Sequence, residues 1–218
     1  MKKIIIMMGP PGSGKGTQAK KIAEKYNYTH ISSGDLLRSL LVKSDLNPLE
    51  KAAQEQMKAG NLVSDDLIYQ LVFSKIENEM ASGKGAVLDG VIRNLDQAKG
   101  FQDFFEKKGL DQEVLVLEVA LADEESFKRL STRRICSRCG EIIPAGESKS
   151  YSVCQKCSGE LITRTDDNVE VVKQRIEKQG NKALQPIINF YKELAILKTV
   201  DGSPSIEEVE KGIEKALN

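Results

Sequence analysis

Short continuous apolar runs alternate along the chain with longer stretches in which apolar residues return every three or four positions. Residues 3–8, 86–89 and 114–119 are of the first kind and read as buried strands; a further short strand ends near Ile31, and another covers 195–200. The second kind predicts a helix over 15–25, where Ala19, Ile22 and Ala23 share a face. Helices are likewise predicted over about 34–41, 49–59, 65–80, 95–108, 123–132, 167–193 and 205–216. Ser64 stands where an amino-terminal cap of the 65–80 helix belongs. Phe101, Phe104 and Phe105 recur at helical spacing and read as core. Strands alternating with helices in this order predict an α/β fold, a parallel sheet flanked by helices on both faces. From Cys136 to about Arg164 the helical period is lost, and paired cysteines, Gly, Ser and Pro predict a separate small unit.

The chain has 218 residues, enough to bury roughly 70% of its unfolded surface. Its 40% hydrophobic and 29% charged content is that of a globular protein, and mean hydropathy is −0.34. No segment reaches the roughly 20 apolar residues of a membrane-spanning helix. Lys plus Arg and Asp plus Glu both number 32, so no global basic field gathers nucleic acid, and phosphate recognition must be local. The amino terminus, MKKIIIMMGPPG, is too short in its apolar run for a signal peptide and reads as a strand. With a single histidine, His30, a Ser-His-Asp triad is disfavoured, and His30 is expected to be a satisfied structural side chain.

The first chemical signal lies between the opening strand and helix: Gly9-Pro10-Pro11-Gly12-Ser13-Gly14-Lys15-Gly16-Thr17. Glycines let backbone amides face inward around phosphates, the helix amino terminus adds positive potential, and a lysine reaches the outer phosphates. Gly16 occupies the position usually held by Ser or Thr, and Thr17 follows it.

The second is the cysteine set, Cys136-x2-Cys139, fourteen residues, then Cys154-x2-Cys157. Two-residue spacing brings both thiolates of a pair to one ion, and four thiolates suit tetrahedral zinc with no open position for catalysis. Structural Zn2+ is the expectation; disulfides, an iron site or an empty site are the alternatives. A third signal is Asp89, a carboxylate ending an apolar strand, placed to orient magnesium through its water shell or to cap a turn.

The phosphate-loop segment GPPGSGKGTQA resembles that of the adenylate kinases and related nucleoside monophosphate kinases. The resemblance continues in order through ISSGDLLR at 31–38, AGNLVSDDL at 59–67, LDGVIRNLDQA at 88–98, TRRIC at 132–136, LITRTDDN at 161–168 and VDGS at 200–203. It implies a phosphate-loop core of residues 1–32, 64–131 and 165–218, an AMP-binding helical insert at 33–63 and a zinc-binding lid at 132–164. The implied reaction is reversible, Mg2+-dependent phosphoryl transfer from ATP to AMP, giving two ADP.

By the same resemblance Gly12, Ser13, Gly14, Lys15, Gly16, Thr17, Arg129 and Arg133 bind ATP. Ser33, Arg38, Asn61, Val63, Gly90, Arg93, Gln97, Arg164 and Arg175 bind AMP. Ser33 and Gln97 are to address the acceptor base, and Gly90 its exocyclic amine through the backbone. Lys15, Arg93, Arg133, Arg164, Arg175 and Asp89 form the implied catalytic set, and Asp166 and Asp167 are to steer lid closure. Arginine's planar fork suits phosphate clamping, and phosphoryl transfer needs positioning and charge stabilisation more than covalent chemistry. The implied partners are ATP, AMP and ADP, with no nucleic acid or membrane. A monomer is implied, and a cytoplasmic location is expected from the lack of targeting signals and from cysteines that read as metal ligands.

The chain departs from the family pattern near the acceptor. Val91-Ile92 replaces the usual Phe-Pro, and since a non-proline cis bond costs about 3 kcal/mol, Ile92 should be trans. Ser33 stands where threonine is common, Ile142-Ile143 where a polar or aromatic pair often covers ATP, and Ala120 where Asp or Asn is frequent. These differences leave a kinase for another nucleoside monophosphate, or a nucleotide-binding regulatory protein with weak transfer, as the alternative functions.

Overall fold

The computed structural model describes residues 2–58, 63–143, 151–164 and 167–217. The opening apolar run forms β1 (Ile4–Met8), buried along its whole length. It leads through the glycine-rich turn into α1 (Lys15–Tyr26), and then β2 (Thr29–Ser32), α2 (Ser33–Leu40), α3 (Pro48–Lys58) and α4 (Asp65–Ala81) follow. Next come β3 (Ala86–Asp89), α5 (Leu95–Lys107), β4 (Val114–Ala120) and α6 (Asp123–Thr132). The chain closes through α7 (Val169–Gln179), α8 (Asn181–Glu193), β8 (Leu197–Asp201) and α9 (Ile206–Leu217). The predicted spans hold to within a residue or two, with one break described below.

Five parallel strands form the sheet in the order β2-β3-β1-β4-β8. Strand β1 is central, with Ile6 opposite Leu88 on one side and Val116 on the other. Its side chains alternate between two cores, as period 2 requires. Ile4, Ile6 and Met8 pack with Phe101, Phe105 and Tyr191, whereas Ile5 and Met7 pack with Ala19, Ile22, Val209 and Ile213. Phe104 is only partly buried, stacked on Phe73 with ring centroids 4.0 Å apart. A central strand sandwiched in this way must be apolar at every position. Because consecutive strands lie on opposite sides of β1, the carboxyl ends of the strands open into a crevice at the change of winding direction, where ligands bind in such sheets.

Two smaller units flank that crevice. Helices α2 and α3 carry their own cluster of Leu40 and Ala53, shared with Leu67 and Leu71 of α4. After α6, an antiparallel sheet of β5 (Arg134–Cys136), β6 (Ile142–Ile143) and β7 (Leu161–Ile162) packs Ile143 and Leu161 around Cys136 and Cys154. This is the region where helical periodicity fails in the sequence.

Two expectations need correction. The helix predicted over 167–193 is two helices, because Gly180 adopts φ −79° and ψ −169° between them. A Cβ at Gly180 would lie 2.4 Å from the Ile176 carbonyl oxygen and 2.9 Å from Asp123 Oδ1, so this break excludes a side chain. Ser64 holds the cap position of α4, but its side chain makes no cap bond; its backbone N–H instead donates to Gln56 Oε1 at 3.0 Å. Among the described residues no peptide bond is cis, so Ile92 is trans as expected. Val91 and Ile92 are buried in the main core.

Candidate active site

A cleft of about 1190 Å³ opens at the carboxyl ends of β1 and β3. The turn after β1 forms its floor, and the backbone there leaves little room for side chains. Gly9 has φ +138°, and a Cβ on it would sit 2.4 Å from the Val119 carbonyl oxygen. Gly14, at φ 90°, starts α1 with no side-chain cap, leaving the first-turn amides to an anion. Gly12, Gly14, Lys15, Gly16 and Thr17 all line the cleft, whereas Ser13 is buried beneath it with its hydroxyl unpartnered. Gly16 lies close to a side chain from another element. A Cβ there would lie 3.0 Å from Asp89 Oδ2, which occupies that space from the end of β3.

Lys15 Nζ donates to the Pro10 carbonyl at 3.1 Å. Burial pushes its pKa below the 10.5 of a free lysine; Asp89 opposes this, and the positive charges of Arg175, Arg133 and Arg93 add to it. Arg93 is held below its ordinary value in the same way, first by burial and then by Arg175. These cations converge on one cleft, as a polyphosphate site requires.

Asp167, buried at the start of the segment leading into α7, organises the opposite wall. Its carboxylate accepts two bonds of 2.7 Å from Arg133 and one of 3.0 Å from Arg175. Arg164 also lines the cleft. Arg129, on α6, donates to the carbonyls of Gly202 at 2.9 Å and Ser203 at 2.8 Å, tying the lid-side helix to the VDGS turn. Asp166 and Asn61, both singled out in the sequence, lie outside the described residues.

On the other flank, Ser33 Oγ donates to the Gly90 carbonyl at 2.6 Å, and Arg93 Nε reaches the same oxygen at 3.3 Å. Arg38 lines the cleft and pairs with Asp35 at 2.6 Å. Gln97 is buried behind this wall and Val63 packs on the α2–α3 cluster; neither lines the cleft itself. Ile142 and Ile143 line the lid side.

His30 corrects the expectation of a satisfied structural side chain. It lines the cleft, and its buried Nε2 has no hydrogen-bond partner, lying 3.8 Å from Asp89 Oδ2. Sequence reasoning missed this neighbour of Asp89, and its position two residues before Ser32 at the end of a strand was the available signal.

In the lid the four cysteine sulfurs all lie within 4.8 Å of one another. Cys136 and Cys157 Sγ are 3.4 Å apart and Cys139 and Cys154 Sγ 3.6 Å. Tetrahedral zinc with Zn–S of about 2.3 Å needs sulfurs about 3.8 Å apart, far from the about 2 Å of a disulfide, so the quartet fits zinc. The backbone N–H groups of Cys139 and Arg138 both donate to Cys136 Sγ at 3.4 Å, bonds that favour the thiolate that binds metal.

Comparison with known proteins agrees with this geometry. Residues 7–196 match the family model described as adenylate kinase. The chain is 40% identical to the adenylate kinase of Caldanaerobacter subterraneus over 98% of its own length and 95% of that protein. It is 39% identical to the adenylate kinase of Fervidobacterium nodosum, covering 95% and 94% of the two chains. The Archaeoglobus fulgidus adenylate kinase is 38% identical, with 98% and 97% covered. The phosphate loop, the arginine-lined cleft and these relatives together place the chain in the adenylate kinase family.

Proposed function

We propose that this enzyme transfers the terminal phosphoryl group of MgATP to AMP, reversibly giving two ADP, with the residues of the cleft in the following roles. The observation that carries the reading is the convergence of Lys15, Arg93, Arg133 and Arg175 on one cleft beside Asp89. A single cation would hold one phosphate; a cluster of this size is suited to a donor and an acceptor together. Gly12, Ser13, Gly14, Gly16 and Thr17 seat the donor phosphates on backbone amides, and Lys15 reaches the outer ones. Arg38 and Arg93 hold the acceptor phosphate, Arg129 and Arg133 meet ATP from the lid side, and Arg164 and Arg175 span the transferred group.

An acceptor phosphate oxygen then bonds to the terminal phosphorus of ATP as the bridging P–O bond to the leaving ADP breaks. Charge spreads over the transferred oxygens, and the arginines stabilise it there without reorganising. Asp89, an oxygen donor against the first turn of α1, fits the water shell of Mg2+, which when bound neutralises charge between the outer donor phosphates. The segments 33–63 and 132–164 serve as closing inserts on a core of 1–32, 64–131 and 165–218, and closure excludes water as a competing acceptor. Asp167 steers that closure by holding Arg133 and Arg175 on one carboxylate. Structural Zn2+ on Cys136, Cys139, Cys154 and Cys157 would staple the lid. The same reading takes the protein as a cytoplasmic monomer acting on free nucleotides. Its balanced charge and its cysteines' metal-like spacing support that reading.

Val91 and Ile92 are buried, but Ile92 also lines the cleft, so AMP as the preferred acceptor rests on the family match and not on this pair. Initial rates with AMP, GMP, CMP and UMP test this: AMP should be preferred, and a strong preference for another monophosphate would reassign the function.

A further inference from the structure

Gln97 and Asp65 meet across the start of two helices behind the acceptor wall. Gln97 lies in the first turn of α5, where its backbone N–H donates to Asn94 Oδ1 at 2.7 Å. Its side-chain Oε1 accepts the backbone N–H of Arg93 at 2.6 Å, and its Nε2 donates to Asp65 Oδ1 at 2.8 Å from the first residue of α4. Gln97 is 5% exposed, so neither end of the amide can exchange its partner for bulk water. A backbone N–H only donates and a carboxylate only accepts, whereas a glutamine amide does both. Flipping this amide would set NH2 against N–H and C=O against carboxylate, two repulsive contacts in place of two bonds. One Nε2 hydrogen and one Oε1 lone pair are left over, on an amide that lies behind the cleft wall and outside its lining.

We propose that Asp65 is a specificity-determining positioning residue: its carboxylate fixes the Gln97 amide so that Gln97 offers donor and acceptor in the order complemented by adenine and opposed by guanine. This rests on the reading that Gln97, although set behind the cleft wall, addresses the base of the bound acceptor. Adenine presents an exocyclic amine that donates and a ring nitrogen that accepts; guanine presents a carbonyl that accepts and a ring N–H that donates. A freely rotating amide could serve either base, and a locked one serves only the first. A site built to pair polar groups rejects the mismatched analogue strongly, because groups are left unpaired.

The test measures kcat and KM for AMP and for GMP at saturating MgATP in the parent enzyme, Asp65→Ala, Asp65→Asn and Gln97→Leu, with melting curves for all four. Asp65→Ala should raise the AMP KM about fivefold with kcat nearly unchanged, and raise the GMP-to-AMP ratio of kcat/KM at least about tenfold. Asp65→Asn keeps an oxygen that accepts from Nε2 and should recover most of the AMP KM but only part of the discrimination. It also carries the test should the alanine variant fold poorly. A merely structural role would lower the melting temperature and leave the ratio at the parent value, which overturns the proposal. If Gln97→Leu raises the AMP KM while neither Asp65 variant shifts the ratio, the lock alone is wrong. If Gln97→Leu leaves the AMP KM unchanged, Gln97 does not read the base and both readings fall.

Discussion

Asp167 and Arg133 form a two-pronged ion pair, Nε to Oδ2 and Nη2 to Oδ1, each at 2.7 Å. The Asp167 side chain is fully buried, Arg133 is 14% exposed, and Arg175 joins the same carboxylate at 3.0 Å. One carboxylate therefore aligns two arginines that would otherwise repel each other. Removing it leaves two partly buried cations without their anion, the situation in which loss of one partner costs most.

Asp167→Ala should accordingly lower the stability of the ligand-free enzyme by about 3 kcal/mol, read from the urea midpoint at constant m. Turnover should drop at least about tenfold as the arginines lose alignment. An unchanged midpoint with normal turnover would show that the pair is ornamental.

The strained charge state of Lys15 gives a pH signature. Its folded pKa is lowered, first by burial, so between that value and 10.5 the folded protein binds fewer protons than the unfolded chain. Stability contributed by Lys15 therefore rises as pH rises through that window, and is at its least below it. Phosphates reverse the shift. ATP binding just below pH 10.5 should take up protons, and affinity should fall as pH rises. Calorimetry in two buffers of different ionisation enthalpy measures the uptake, which Lys15→Met should abolish; uptake persisting in that variant contradicts the assignment.

Lys15→Met and Arg93→Ala should each reduce turnover at least about 100-fold. Neither should lower the melting temperature, since each removes a cation that burial and its positive neighbours already disfavour. Near-normal turnover in either variant would remove that residue from the catalytic set.

Removal of bound metal by a strong chelator, or Cys154→Ser, should lower the melting temperature, because the cysteines sit at the centre of the small cluster completed by Ile143 and Leu161. Differential scanning calorimetry with metal analysis checks this. An identical curve after proven removal would deny the metal a structural role.

Much of this was legible in the sequence for physical reasons. The buried strands show as unbroken apolar runs, and glycines with one lysine between a strand and a helix leave little choice but a phosphate loop. The cysteine spacing foretells the cluster that the four sulfurs form in the fold. What stayed hidden depends on contacts distant along the chain. Gly180 breaks a helix because Asp123 packs against it, and no local signal at 180 reveals that neighbour. Gly16 has the Asp89 carboxylate, from strand β3, 3.0 Å from where a Cβ would stand. Asp65 looks like an ordinary helix-start acid until α5 brings Gln97 to it. His30 reads as a satisfied structural side chain until β2 pairs with β3 and sets it beside Asp89.

The central claim is that phosphoryl transfer runs between two nucleotides held in one cleft, and its most direct test is ADP formation from MgATP with and without AMP. The account predicts that AMP raises the rate at least about 1,000-fold, with two ADP formed per ATP consumed, because transfer needs an acceptor phosphate held in line with the donor and water is a poor substitute once it is excluded. A rate independent of AMP, with one ADP and one phosphate per ATP, would contradict it.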